Sequence, residues 1–244
     1  MSSQPEQVTL RGVGLKRLDR WLFRGMDVTM PRGKFVAVVG PSGAGKTSLL
    51  GCLAGTVAPS EGQVVFQCAQ GCRHSPAAFR KRLGIVFQNF LLIGNGTLLH
   101  NVLCGRLGRY PWWRTIAGFS RTDRIEAFGI LNHLGLSSHV YRRAAEVSGG
   151  EQQRAALARA LFQEPEMFLA DEPVSNLDQD LTRHVLNILR QQARQQSRTV
   201  LCVLHDRDLV ERFADIVINL NPEQPEQWTV RAVERENEVP ATGS

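Results

Sequence analysis

The chain has 244 residues, of which 43% are hydrophobic and 21% charged, with a formal net charge of +6. These are ordinary values for a globular protein with a real core, enough for one sizeable α/β domain or a domain with an inserted lobe. The basic balance suits nucleic acids, anionic membrane surfaces or phosphorylated ligands without choosing among them.

No apolar run approaches the ~20 residues that a membrane span needs, and the polar stretch Met1 to Gln7 reads as no secretory signal, so any membrane role is expected to come through a partner. The five cysteines, Cys52, Cys68, Cys72, Cys104 and Cys202, are odd in number and widely scattered, which fits a reducing cytosol rather than a disulfide framework. Cys68, Cys72 and His74 form a local C-x3-C-x-H cluster. It lacks a second ligand pair nearby and reads as incidental surface thiols.

In chain order, Val8 to Met30 reads as short strands joined by turns at Gly12, Gly14 and Gly25, and Pro31, Arg32 and Gly33 form a further turn. Phe35 to Val39 is a continuous apolar, β-branched run, the mark of a strand buried on both faces. A glycine-rich loop follows at once, and Thr47 to Ala54 reads as the helix leaving it. Pro59 to Gln67 suggests more strand, and Leu83 to Gln88 a short apolar strand with a polar end. From about Asn95 to Ala158 the pattern turns helical, with a basic aromatic stretch inside it. Met167 to Ala170 and Thr199 to Leu204 are further apolar strands, ending at Asp171–Glu172 and at His205. Strands that finish in functional groups at one edge are how open α/β sheets build ligand sites. Beyond Leu220 the chain is polar and too short for another domain.

Gly40, Pro41, Ser42, Gly43, Ala44, Gly45, Lys46 and Thr47 match G-x-x-x-x-G-K-[ST] at every position, between a strand and a helix, with Ser48 next in the helix. Glycines let backbone N–H groups turn toward phosphate oxygens, and the helix N-terminus points its positive end at the same anion. Lys46 adds a charge at the β- and γ-phosphates, and the Thr47 hydroxyl is suited to Mg2+. Such a site needs a carboxylate at the end of a neighbouring strand to hold Mg2+ through water, and Asp171 fits. Glu172, next along, is placed to orient and deprotonate the attacking water. ATP and Mg2+ are therefore the expected ligands.

Between these halves lies Val147-Ser148-Gly149-Gly150-Glu151-Gln152-Gln153-Arg154. Here the chain resembles the ATP-binding cassette (ABC) ATPases, whose signature reads LSGGQ followed by Q-x-R. Val147 and Glu151 depart from it, while the Ser148-Gly149-Gly150 centre is intact. Read from the residues alone, Ser148 is also a sensible helix N-cap.

The resemblance implies further roles. Gln88 matches the Q-loop glutamine that senses Mg2+ and couples to the partner, Ser175 to Asp178 the D-loop, and His205 the switch histidine on the γ-phosphate. It implies a P-loop α/β cassette with a RecA-like core, a small antiparallel β subdomain and an inserted helical lobe. It implies one such domain over residues 1–244, with the lobe at about 95–158 and a polar tail at 221–244. Two cassettes of this family pack head to tail, so each ATP would lie between the P-loop of one copy and Ser148 to Gly150 of another. The family's adenine-stacking aromatic is missing between Val13 and Arg20; Arg17 and Trp21 are the stand-ins.

Asn101-Val-Leu-Cys-Gly-Arg-Leu-Gly108, leading into Arg109 to Phe119, is similar to the ATPase subunits of bacterial phosphonate importers. That implies an ATPase coupled to transport on the cytoplasmic face of the inner membrane, bound to integral-membrane permeases and served indirectly by a periplasmic binding protein. Arg106, Arg109, Arg114, Arg121 and Arg124, interleaved with Tyr110, Trp112, Trp113 and Phe119, read as a basic aromatic surface, with the tryptophans either docking or packing the lobe. The alternatives are a cassette for another substrate, or a soluble ABC ATPase acting on nucleic acid or ribosomes. The latter class carries long coiled coils or two cassettes that this chain lacks, so no nucleic acid partner is expected. A simple P-loop kinase would leave Ser148 to Gly150 and His205 unexplained.

Overall fold

A computed structural model describes residues 7–67, 73–87, 89–110 and 118–234. The first strands, β1 (Gln7–Arg17) and β2 (Arg20–Pro31), pair as one long antiparallel hairpin. The expected turns at Gly12, Gly14 and Gly25 are not turns. Gly12 and Gly25 sit at φ 56° and 62° inside continuous strands, and the β1–β2 register shifts around Gly12 and Gly14. Glycine takes a positive φ without cost, so the chain forms bulges and keeps going. The hairpin closes instead at Leu18 and Asp19, both with positive φ, as the right-handed twist of paired strands requires. β4 (Glu61–Gln67) and β5 (Arg73–His74) complete a four-stranded sheet in the order β2-β1-β4-β5.

The second sheet has six strands in the order β10-β9-β3-β8-β7-β6. β3 (Phe35–Val39), β6 (Leu83–Val86), β7 (Met167–Ala170), β8 (Thr199–Val203) and β9 (Ile216–Asn219) run parallel. Phe35, Val36, Ala37 and Val38 are all fully buried, as the unbroken apolar run predicts. Successive side chains leave the sheet on opposite faces and feed two cores. Phe35, Ala37, Phe168, Ala170, Val200 and Cys202 join the core that includes the helical lobe. Val36, Val38, Met167, Leu169, Leu201 and Val203 join the one under the glycine-rich loop and the antiparallel sheet. β10 (Thr229–Ala232) lies antiparallel on β9, so the polar stretch after Leu220 contributes a sheet strand.

Seven α-helices are described: α1 (Lys46–Ala54), α2 (Pro76–Phe79), α3 (Leu98–Leu103), α4 (Arg121–His133), α5 (Gly149–Phe162), α6 (Gln179–Arg194) and α7 (Arg207–Phe213). The described residues of the stretch expected to be helical from Asn95 to Ala158 are broken into α3, a 3-10 turn at Cys104–Arg109, α4, two more 3-10 turns, and α5. Local caps set the breaks. Thr97 caps α3, Ser120 and Asp123 form a reciprocal capping box on α4, and Gly135 at φ 69° turns the chain after it.

The lobe corrects part of the expectation of a basic aromatic surface. Arg106 points inward: its Nε donates to the Phe162 carbonyl at 2.8 Å, and its guanidinium meets Asp123, Glu126 and Glu164. It also stacks on the Phe162 ring at 4.0 Å. The Tyr110 hydroxyl donates to Asp123 at 2.7 Å, and Phe119 packs against the core. Arg121 and Arg124 are exposed. Trp112, Trp113 and Arg114 lie outside the described residues, as do Cys68, Cys72 and Gln88. Cys52 and Cys202 are buried, and burial pushes the Cys52 thiol up to about 11. Among the described residues no group of three or more His, Cys, Asp or Glu is arranged to hold a metal ion.

Candidate nucleotide site

The loop from Gly40 to Gly45 links the C-terminal end of β3 to α1. Gly40, Gly43 and Gly45 have φ of 145°, 77° and 93°. At Gly40 the demand is steric as well, because a Cβ there would lie 2.7 Å from the Leu220 carbonyl oxygen. Pro41, Ser42 and Gly43 are exposed at the loop's crest, Ala44 anchors it in the core, and Ser48 is half-buried in the first turn of α1. Lys46 is only 7% exposed, and its Nζ donates to the carbonyls of Gly40 and Pro41, both at 2.9 Å. Burial lowers its pKa against the opposing pull of the Glu172 and Asp171 carboxylates. The buried ammonium is thus satisfied by its own loop's carbonyls.

Asp171 follows β7, the second strand over from β3, and its backbone N–H donates to the Val86 carbonyl of β6. It is 5% exposed, and burial raises its pKa although the Thr47 hydroxyl hydrogen-bonds to it. Its Oδ1 has no hydrogen-bond partner among the described residues. An orphaned buried carboxylate oxygen beside a threonine hydroxyl is a donor set that fits a hard cation such as Mg2+.

Glu172 adopts φ 52°, a left-handed conformation rare for a residue with a side chain. Its Oε1 lies 2.6 Å from His205 Nε2, just past β8. Its carbonyl accepts from Gln153 Nε2 at 2.9 Å and from the Ser175 hydroxyl at 3.2 Å. A cavity of about 380 Å³ opens here, lined among others by Glu172, Ser175, Arg183, His205 and Asp206. Asp178, at the end of the D-loop-like segment, caps α6 through the Leu181 N–H.

Ser148 is the N-cap of α5. Its Oγ accepts from the Glu151 N–H, and Glu151 Oε2 accepts from the Ser148 N–H at 2.7 Å and from its hydroxyl at 2.9 Å. Glu151, the departure from the signature, thereby completes a capping box, and the Ser148 N–H holds its carboxyl below the usual range. A Cβ on Gly149 would meet nothing within 4 Å, so that face of the helix start is open. The structure thus gathers Gly40–Ser48, Asp171, Glu172 and His205 around the ends of β3, β7 and β8. Ser148, Gly149 and Gly150 head α5, where a Cβ on Gly150 would lie 3.2 Å from the Asn176 carbonyl oxygen.

Of the two stand-ins for a base contact, Arg17 lines a cleft of about 180 Å³ together with Thr47, Ser48, Phe87 and Asp171. Trp21 is covered by the Arg24 guanidinium at 4.8 Å. Sequence reasoning passed over Gln153, since a glutamine within a helix carries no signal of its contact with residue 172.

The sequence profile described as "ABC transporter" matches residues 23–175. The phosphonates import ATP-binding protein PhnC of Trichormus variabilis is 40% identical over 205 residues, 84% of each chain. The hypophosphite import ATP-binding protein HtxD of Stutzerimonas stutzeri is 36% identical over 242 residues, covering 95% of this chain and 71% of that one. Among solved structures, the dimeric post-hydrolysis state of the ATP-binding cassette MJ0796 with ADP and Pi superposes with a TM-score of 0.81 at 26% identity, over 94% of this chain and 100% of that one. Profile, relatives and fold agree with the strand-end geometry, and the chain belongs to the ABC transporter family as one of its ATP-hydrolysing subunits.

Proposed function

We propose that this subunit powers import of phosphonates or related phosphorus oxyanions, by hydrolysing ATP held between two copies of the chain. The observation that carries the hydrolytic reading is the contact of 2.6 Å between Glu172 and His205, beside the buried, partly orphaned Asp171 carboxylate. The import reading is supported by the phosphonate and hypophosphite import relatives that match most of this chain.

In this reading Gly40 to Ser48 cradle the phosphates, and Lys46 turns from its own loop carbonyls to the β- and γ-phosphates. Thr47 and Asp171, with Gln88, would hold Mg2+, which when bound neutralises phosphate charge and polarises the γ-phosphoryl group. Glu172 takes the proton of the attacking water, a contribution of about 10²–10⁴ in rate. His205 orients that carboxylate and reaches the γ-phosphate. Ser148, Gly149 and Gly150 close over ATP bound to the other copy, with a capped helix N-terminus as the anion contact.

The docking partners are integral-membrane permeases, fed by a periplasmic binding protein. The chain would then sit on the cytoplasmic face of the inner membrane as a peripheral subunit. No helix among the described residues is long and apolar enough to cross a membrane.

Glu172→Gln is expected to bind ATP, accumulate as a dimer and turn over very slowly. A variant hydrolysing at the wild-type rate would remove Glu172 from its role. For the cargo, deleting the gene in its host is expected to abolish uptake of radiolabelled methylphosphonate. Unchanged uptake rejects that substrate class.

A further inference from the structure

Seven non-glycine residues among those described have positive φ. Three of them, Phe90, Leu91 and Glu172, offer their carbonyls to side chains of a single helix, α5. Gln153 Nε2 donates to the Glu172 carbonyl at 2.9 Å. Arg159 donates through Nη2 to the Phe90 carbonyl at 2.9 Å and through Nη1 to the Leu91 carbonyl at 2.7 Å. These residues belong to two turns. Glu172 follows β7, and Phe90–Leu91 follow the adjacent strand β6, two residues beyond Gln88.

A left-handed conformation in a residue with a Cβ persists only where its surroundings over-determine it. Here the determining groups come from one rigid element. α5 is 14 residues long, a rod of about 20 Å. Its C-terminal end is fixed to the sheet, because Gln163 donates to the Leu83 carbonyl at 2.8 Å. One flank is fitted closely to the lobe, where a Cβ on Gly105 would lie 2.4 Å from the Arg159 carbonyl oxygen. Its N-terminus carries Ser148, Gly149 and Gly150.

The side chains themselves point the same way. Gln153 is 2% exposed, and its Oε1 has no hydrogen-bond partner among the described residues. A buried amide with an unused acceptor is a costly way to fill space, and leucine of similar volume would pack without that penalty. What the amide supplies is a neutral donor to the backbone of Glu172, adding no charge beside the carboxylate. Arg159 is likewise buried enough to lower its pKa, and its planar fork reaches two successive carbonyls through two separate nitrogens.

We propose that Gln153 and Arg159 are positioning residues, through which α5 holds the left-handed turns at Glu172 and at Phe90–Leu91 in register with Ser148–Gly150. A displacement of the Ser148 end is then transmitted by the helix to the carboxylate of the same chain. This rests on the hydrolytic reading of Glu172 given above.

The test uses the intact chain and measures kcat, ATP dissociation constant and folded fraction. Gln153→Leu is expected to lower kcat about tenfold or more, as for a slightly misplaced catalytic group, while the ATP dissociation constant stays within about twofold. Arg159→Met is expected to lower kcat as well. Adding Leu91→Gly to it should recover part of the loss, because glycine holds a positive φ unaided. A merely structural arginine would give no such rescue, since glycine would only add to the damage. Should Gln153→Leu fail to fold, the Arg159→Met pair with and without Leu91→Gly decides. Wild-type kcat in Gln153→Leu, or no rescue by Leu91→Gly, overturns the proposal. If Glu172→Gln itself hydrolyses at the wild-type rate, the hydrolytic reading falls and takes this one with it.

Discussion

Replacing Arg106 with methionine keeps most of the side-chain volume and removes the guanidinium that ties α4, α5 and the 3-10 turn together. The cost follows from what each partner retains. Arg106 and Asp123 have side chains 10% and 8% exposed, so their pair is sheltered from water. Removing one member of a buried pair commonly costs ~3–5 kcal/mol. Asp123, however, keeps the Ser120 N–H, the Ser120 hydroxyl and the Tyr110 hydroxyl as donors. Glu126 and Glu164 are 39% and 46% exposed, and water replaces the cation there. What remains uncompensated is the buried Phe162 carbonyl and the stack on its ring. The loss is therefore expected at the lower end, about 3 kcal/mol. For a chain of this size that lowers Tm by about 6–12 °C. Thermal melting by circular dichroism, with urea titration alongside, reads this directly. ATP affinity should not change, because the network lies in the lobe core and not beneath the nucleotide loop. A fall in Tm of less than about 2 °C would refute the accounting.

Gly40→Ala is expected to weaken ATP binding and destabilise the fold together, since a Cβ at φ 145° meets the Leu220 carbonyl oxygen at 2.7 Å; calorimetric titration with ATP and a melting curve check both. Asp123 titrates below its ordinary 3.8: burial opposes its charge, but the hydrogen bonds from Ser120, Tyr110 and Arg106 outweigh it. A depressed carboxyl contributes stability above its unfolded pKa and loses it as pH falls through the folded one. Asp123→Asn should therefore flatten the loss of stability below about pH 4, and an unchanged acid limb would contradict this. Arg17→Ala is expected to raise KM for ATP more than Trp21→Ala, because Arg17 lines the cleft beside Thr47 while Trp21 is occupied by Arg24. Steady-state kinetics with ATP and GTP compare them.

Much of the candidate site was legible because its parts are runs of covalent neighbours. The loop from Gly40 to Thr47 and the strand ending at Asp171–Glu172 each carry their own context, and the unbroken apolar runs of β3, β7 and β8 mark strands covered on both faces. The resemblance added His205 and Ser148–Gly150, which no spacing argument joins to the loop. What escaped depends on contacts across the sequence. Arg106 looked like part of a basic surface because its partners Asp123, Glu126 and Phe162 lie 17 or more positions away. The left-handed Glu172 left no mark, since a non-glycine residue does not announce a positive φ. Gly12 and Gly25 misled in the other direction: a glycine marks where φ is free, not whether the chain then turns or bulges.

The pairing of β10 with β9 bears on association. β9 is apolar, with Val217 and Ile218 buried, and without β10 one row of its backbone N–H and C=O groups would face solvent. Such a bare edge is a template for strand addition by another chain. β10 takes that outer place instead, and all four of its residues are exposed, with Arg231 paired to Glu211. The segment beyond Leu220 is further pinned to β2, because the Trp228 indole and the Pro225 carbonyl both bond the backbone of Arg24. A short, charged strand therefore blunts the sheet's edge, and a chain cut at Leu220 would expose a sticky one in its place.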